Sequence, residues 1–209
     1  MRFDGILFDL DGTLWDSCLS VAESWRSTLR TRYNAQHLPS IEDIQSIMGL
    51  PASEVARRLF TGYGAPAQEV CSTCMRDECR YLAQHGGVLY PGVPEMLASL
   101  AEQAPLFIVS NCQDGYIQSF LTWSALGGLF QDFECEGRTG CSKAENIRLV
   151  IQRNSLHSPV YVGDTALDEA SGLPPAARSC MLPTALAALW HRWRPSIPPG
   201  GLPAVLNAL

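Results

Sequence analysis

Phe8-Asp9-Leu10-Asp11-Gly12-Thr13 follows a short apolar run, Gly5–Phe8, and the way these residues alternate decides the fold. An extended backbone sends successive side chains to opposite faces, so Asp9 and Asp11 share one side while Leu10 turns back to the core. Two carboxylates then project from the carboxyl end of a strand, where open α/β sheets build their sites. Gly12 allows the backbone a sharp departure. Carboxylates held this close repel each other, and their environments push their pKa values apart, making one a nucleophile or base and the other an acid. A nearby divalent cation would relieve the repulsion.

Outward from this segment, two further apolar runs, 106–109 and 160–162, each stop at a polar residue or glycine. Runs of this length and composition read as strands buried on both faces of a parallel sheet. Residues 91–102 carry an apolar stripe at Val93, Met96, Leu97 and Leu100, and residues 143–154 carry one at Ile147, Val150 and Ile151. These are the crossover helices that a parallel sheet requires. The fold class is therefore α/β, a doubly wound parallel sheet with a Rossmann-like core.

From Trp15 to about Val88 no convincing strand is visible, a stretch far longer than an ordinary strand-to-helix connection. It reads as an inserted helical subdomain. Helix starts are signalled by Ser17, by Pro39-Ser40 with Asp43, and by Pro51-Ala52-Ser53-Glu54; Gly49 and Gly62-Tyr63-Gly64 supply the breaks. The division that follows is a core of residues 1–14 and 89–209 with a helical cap of residues 15–88.

Asp164 comes directly after the third apolar run and Gly163, placed as a second carboxylate for a cation, and Asp168 lies one helical turn further on. Ser110 closes the second run, where its hydroxyl and the N–H of Asn111 or Cys112 can meet a phosphate oxygen. Lys143 opens a helix, and an ammonium at a helix N-terminus favours an anion. Taken singly, a strand-end Asp is often a helix cap, a Ser a turn residue and a helix Lys a solvated charge. Their common placement at strand ends and helix starts is what converts them into one candidate phosphate site.

Composition narrows the classes. The net charge is −6, without any Lys/Arg-rich run, which argues against a surface built to neutralise nucleic acid or membrane phosphates. No apolar run is long enough to span a bilayer, and the N-terminus lacks the apolar stretch of a secretory signal. The eight cysteines accordingly read as reduced thiols in a cytoplasmic protein. Cys71, Cys74 and Cys79 hold a Cys-x-x-Cys pair, but no second pair or His cluster completes a metal site, and residues 66–85 read as one continuous helix.

The four clusters, Asp9-Leu10-Asp11-Gly12-Thr13, Ser110-Asn111, Lys143 and Gly163-Asp164-Thr165-Ala166-Leu167-Asp168, resemble the motifs of the haloacid dehalogenase-like hydrolase superfamily. The stretch Leu14-Trp15-Asp16-Ser17 and the segment Met48-Gly49-Leu50-Pro51 are similar to the helical-cap subgroup that includes phosphoglycolate-phosphatase-like proteins. The resemblance implies a Mg²⁺-dependent phosphatase acting on a small phosphorylated metabolite. In that scheme Asp9 attacks phosphorus and forms an aspartyl-phosphate, while Asp11 protonates the leaving oxygen and later activates water. Mg²⁺ would be held by Asp9, the main-chain carbonyl of Asp11, and Asp164. Ser110, Asn111 and Lys143 would bind the phosphoryl oxygens, Asp168 would orient Lys143 or a metal-bound water, and cap closure would complete the site.

Phosphotransfer to a second sugar hydroxyl and a non-catalytic phosphate-binding module are alternatives on the same motifs. Carbon–halogen hydrolysis fits less well, because it has no need of an acid at Asp11. Trp25, Arg57, Arg58 and His85 are the cap residues that stand as candidates to reach a leaving group. After Ala170 the family pattern breaks: Gly172 and Pro174-Pro175 cut the expected helix short, and 178–182 is the one strand candidate before 201. A divergent structure and a shifted reading frame are both open readings of residues 171–201, and a shift would preserve the candidate site residues while removing an outer strand and a helix.

Overall fold

The computed structural model describes residues 3–163 and the strand formed by residues 178–181. Its sheet has five parallel strands in the order β5-β4-β1-β6-β7: β1 (Gly5–Phe8), β4 (Leu106–Ser110), β5 (Phe130–Cys135), β6 (Pro159–Gly163) and β7 (Arg178–Met181). β1 is central, pairing Phe8 with Ile108 of β4 and with Val162 of β6. The chain runs from β1 to β4 and β5 on one side, then returns to β6 and β7 on the other. The reversal falls at β1, and the crevice that such a reversal opens at the carboxyl ends lies where Asp9 leaves the strand.

Alternation divides the strand residues between two apolar layers. Ile6, Phe8, Leu106, Ile108, Val160 and Val162 join the larger cluster with Leu97 and Leu100 of α5 (Val93–Ala101). Leu7, Phe107, Val109 and Tyr161 form the smaller one with Ile147 and Val150 of α8 (Lys143–Arg153). The sheet is thus covered on both faces, as its continuous apolar runs require. The expected helix at 91–102 begins at Val93 because Gly92 takes a left-handed φ of 80°. The strand expected at 178–182 is present as β7; Asp164, Asp168 and the rest of 171–201 lie outside the described residues.

Between β1 and α5 come four helices: α1 (Cys18–Tyr33), α2 (Ile41–Gln45), α3 (Ala52–Leu59) and α4 (Ala67–His85). Ser40 caps α2 with the full reciprocal box to Asp43. Ser17 precedes α1 without capping it, since its hydroxyl goes to Asp11 instead. The expectation that this stretch contains no strand needs correction: β2 (Trp15–Asp16) and β3 (Val88–Leu89) pair antiparallel at its two ends. Two-residue strands show no periodicity, so no pattern in the sequence marks them. Apolar residues of this stretch, including Trp25, Phe60 and Leu82, belong to the same cluster as Ile6 and Phe8.

Three further elements escaped the sequence reading, α6 (Tyr116–Ser124), the strand β5 and the one-turn helix α7 (Glu136–Thr139). β5 reads FQDFEC, half polar, as suits a strand with one neighbour among the described residues. Arg153 of α8 ties its carboxylates Asp132 and Glu134 at 2.8 and 3.0 Å. Cys71 and Cys74 are buried in the apolar cluster on α4 and Cys79 packs against it. Burial pushes all three thiols up to about 12, so they are inert packing groups.

Candidate active site

Asp9 is the first residue past β1, its N–H still bonded to the carbonyl of Val162 at 2.8 Å. Its carboxylate is buried. Oδ1 accepts the N–H of Leu10 at 2.8 Å, and Oδ2 accepts Nζ of Lys143 at 2.8 Å. Lys143 is the first residue of α8, whose N-terminus is closed by the reciprocal cap of Ser142 and Glu145, and it is itself only 8 % exposed. Its Nζ lies 5.7 Å from the centre of the Tyr161 ring. A buried ammonium at a helix start is costly unless it is paired, and Asp9 supplies the pairing charge.

Asp11 sits in a different setting. Its Oδ1 accepts the hydroxyl of Ser17 at 2.9 Å and lies 2.7 Å from the hydroxyl of Tyr116. Desolvation raises this carboxyl to about 7, against the opposing pull of the Tyr116 and Ser17 hydrogen bonds, and the charge of Asp9 adds to the rise. Gly12, at φ 77°, turns the backbone so that its N–H reaches the carbonyl of Trp15 at 3.0 Å. The two carboxylates, two positions apart in sequence, thus have opposite partners: an ammonium for Asp9 and hydroxyls for Asp11.

Ser110, buried at the end of β4, and Asn111 line one cleft with Asp9, Asp11, Gly12, Lys143 and Tyr90. The clusters at Asp9-Asp11, Ser110-Asn111 and Lys143 are therefore brought together, as the sequence led one to expect. Asn111 does more than line the cleft: its Nδ2 donates to the carbonyl of Gly49, in the loop between α2 and α3, at 3.1 Å. The loop after Ser110 is pinned from the other side by Gly137, whose N–H bonds the carbonyl of Cys112 at 3.0 Å. A Cβ at Gly137 would fall 2.4 Å from the backbone nitrogen of Asp114.

Of the cap candidates, Trp25 is buried beside the cleft. Arg57 and Arg58 are exposed and paired with Glu54 at 2.7 and 2.6 Å, and His85 stacks on Tyr81 with ring centres 4.1 Å apart. None of these three lines the cleft. Three residues near the site carried no sequence signal: Tyr116, Glu78 and Gln113. They arrive from α6, α4 and the loop after β4, and only the tertiary fold brings them to Asp11 and Trp25.

The carboxylate of Asp9 and the main-chain carbonyl of Asp11 are hard oxygen donors, the type that Mg²⁺ selects. Among the described residues no cluster of three carboxylates, thiols or imidazoles completes a metal site. The third expected ligand, Asp164, follows β6, which runs beside β1. The donor set described is thus compatible with Mg²⁺.

The chain belongs to the haloacid dehalogenase-like hydrolase family, whose model matches residues 6–180. The phosphoglycolate phosphatase of Rhodobacter capsulatus is 29 % identical over 180 residues, covering 81 % of each chain. Family and relative together support an enzyme of the phosphoric monoester hydrolase class. Among solved structures, a haloacid dehalogenase-like family hydrolase from Streptococcus pneumoniae aligns with a TM-score of 0.68 at 18 % identity, covering 98 % of this chain and 99 % of its own. CbbY from Rhodobacter sphaeroides, solved in complex with phosphate, aligns at 0.70 and 15 % identity over 87 % of this chain and 86 % of its own. These two likenesses speak for the fold.

Proposed function

We propose that this chain hydrolyses a small phosphorylated metabolite through an aspartyl-phosphate on Asp9. The observation that supports this most is the unequal pairing of the two carboxylates: Asp9 faces the Lys143 ammonium, and Asp11 faces the hydroxyls of Ser17 and Tyr116. A carboxylate paired with a fixed ammonium stays ionised and can attack. Oδ of Asp9 forms a bond to phosphorus as the bond from phosphorus to the leaving oxygen breaks, and Asp11 gives that oxygen its proton. Water then attacks the same phosphorus and Asp11 takes back a proton, so that Asp9 and inorganic phosphate are released.

Ser110, Asn111 and Lys143 supply donors to the phosphoryl oxygens, where charge builds up in the transition state. Mg²⁺, held by Asp9, the carbonyl of Asp11, and Asp164, would screen the attacking carboxylate from the phosphate. Asp168 would orient Lys143 or a metal-bound water. Residues 15–88 act as a cap hinged at the β2–β3 ribbon, with the Asn111–Gly49 hydrogen bond holding cap against core. A cytoplasmic setting suits the free thiols.

The test is phosphate release from an aryl phosphate by the purified protein in Mg²⁺. Turnover is expected. Folded protein that releases none supports a phosphate-binding module instead.

A further inference from the structure

Next to the cleft, a second cavity continues from Asp11, Ser110 and Asn111 toward the cap. It lies on the Asp11 side, which is the side on which a leaving group would depart. Much of its wall is apolar, including Val21, Ile47, Met48 and Met75. Set into that wall is Glu78 of α4, 3 % exposed. The indole N–H of Trp25 donates to one of its carboxylate oxygens, and Nε2 of Gln113 donates to the other at 2.9 Å. No Lys, Arg or His is among the described residues that line this cavity, although Lys143 lines the cleft beside it.

A buried acid in an apolar pocket with no cation among the described lining residues is an unusual feature and calls for a reason. Resting on the phosphatase reading, we propose that this cavity takes the alcohol portion of the substrate and that Glu78 selects leaving groups that carry hydroxyls and no carboxylate. Each Glu78 oxygen accepts one hydrogen bond and has room for a second, which a substrate hydroxyl can donate. A substrate carboxylate would instead add an anion to a largely apolar-walled space that already holds the carboxyls of Glu78 and Asp11. Beside an ionised Glu78 it enters only against repulsion, and beside a protonated Glu78, which burial favours by raising its carboxyl to about 8, it still finds no cation among the described lining residues to pair with. Either route penalises the charged leaving group, a repulsive element of the kind that sets specificity. The preference inferred therefore differs from that implied by the name of the Rhodobacter capsulatus relative, since glycolate bears a carboxylate.

The matched pair 2-hydroxyethyl phosphate and phosphoglycolate, which differ at one carbon, tests this, with p-nitrophenyl phosphate as the reference. The folded parent is expected to favour 2-hydroxyethyl phosphate over phosphoglycolate by about tenfold or more in kcat/KM, the scale on which pocket polarity discriminates. At a pH of about 9, where the parent's Glu78 is ionised, Glu78→Gln, compared as the ratio within the variant, should bring the two substrates within about threefold, whereas Glu78→Asp should retain the preference. A parent that hydrolyses p-nitrophenyl phosphate yet takes phosphoglycolate equally well or better overturns the proposal and leaves the phosphatase reading standing. An unchanged ratio in a folded Glu78→Gln protein removes Glu78 from the selection, and a parent inert on all three esters takes down both readings. Should Glu78→Gln not fold, the parent's ratio together with that of Glu78→Asp still decides, because loss of the preference in either one contradicts the inference.

Discussion

The hydroxyl of Tyr116 lies 2.7 Å from Oδ1 of Asp11 and 2.7 Å from Oγ of Ser17, which itself donates to that same carboxylate oxygen at 2.9 Å. Two hydroxyls thus hold one oxygen of Asp11, and Tyr116 is fixed in turn by edge contact with Trp15 at 5.8 Å between ring centres. The carboxyl that would pass a proton to the leaving oxygen is oriented by side chains 6 and 105 positions away in sequence.

Tyr116→Phe removes one of these donors and keeps the ring. With an alkyl phosphate, whose leaving oxygen needs a proton, kcat is expected to fall by roughly 10- to 100-fold with little change in KM, less than the roughly 100- to 10,000-fold of a whole positioned acid because Asp11 itself remains. With p-nitrophenyl phosphate, a good leaving group, the loss should be several-fold smaller. Equal losses on both esters would show that Tyr116 supports the fold and not the proton transfer.

Removal of Mg²⁺ by excess chelator should abolish turnover, and readdition should restore it. Ca²⁺ should restore it poorly, because its larger and looser coordination sphere misplaces the attacking carboxylate. Undiminished activity in chelator would contradict the metal assignment.

Gly137→Ala tests the loop that follows Ser110 and begins with Asn111. The added Cβ would meet backbone atoms of Gln113 and Asp114 at 2.4 to 2.7 Å, which no side-chain rotation relieves. A loss of about 2 kcal/mol in stability is expected from overpacking of this kind, together with a higher KM for phosphate esters. Parent-like melting and KM would show that the loop can move aside.

Glu78 gives a dependence of stability on pH with a definite sign. Its carboxyl titrates from an ordinary 4.5 when unfolded to about 8 when folded, raised first by burial and slightly by Asp11, and lowered by the Gln113 and Trp25 hydrogen bonds. The folded state therefore binds the proton more tightly. Its contribution is fully present below about 4.5, is lost as pH rises toward about 8, and stays lost above it. Asp11, raised to about 7, acts in the same direction, so the useful quantity is the difference between Glu78→Gln and the parent. Thermal melts should show the variant gaining on the parent by several degrees between pH of about 5 and about 8. A constant difference over that range would mean that Glu78 is ionised in the folded protein.

The cleft half of the candidate site is legible because each residue is tied to a local signal, the end of a short apolar strand or the start of a striped helix. Asp9, Asp11, Ser110, Asn111 and Lys143 all meet in one cleft for that reason. Tyr116, Glu78 and Gln113 were not legible, because nothing in spacing tells a tyrosine that opens α6 from any other aromatic in a helix. The strands that were missed are also the ones without a signal: β2 and β3 have two residues each, and β5 is half polar. Arg57 and Arg58, candidates in the sequence for reaching a ligand, are both held by Glu54, three and four positions before them. Residues 15–88 read as a separable insertion, yet their apolar side chains continue the core of the sheet, so point substitutions probe this region more safely than its deletion.

The central claim is that Asp9 becomes covalently phosphorylated. Protein quenched in acid during turnover of p-nitrophenyl phosphate with Mg²⁺, then treated with borohydride, converts an acyl phosphate to the corresponding alcohol, which peptide mass spectrometry locates. The reduced residue is expected at position 9 alone, and it should be absent from Asp9→Asn, which should also show no turnover. Reduction at another carboxylate, or turnover near the parental rate in folded Asp9→Asn, would contradict the account.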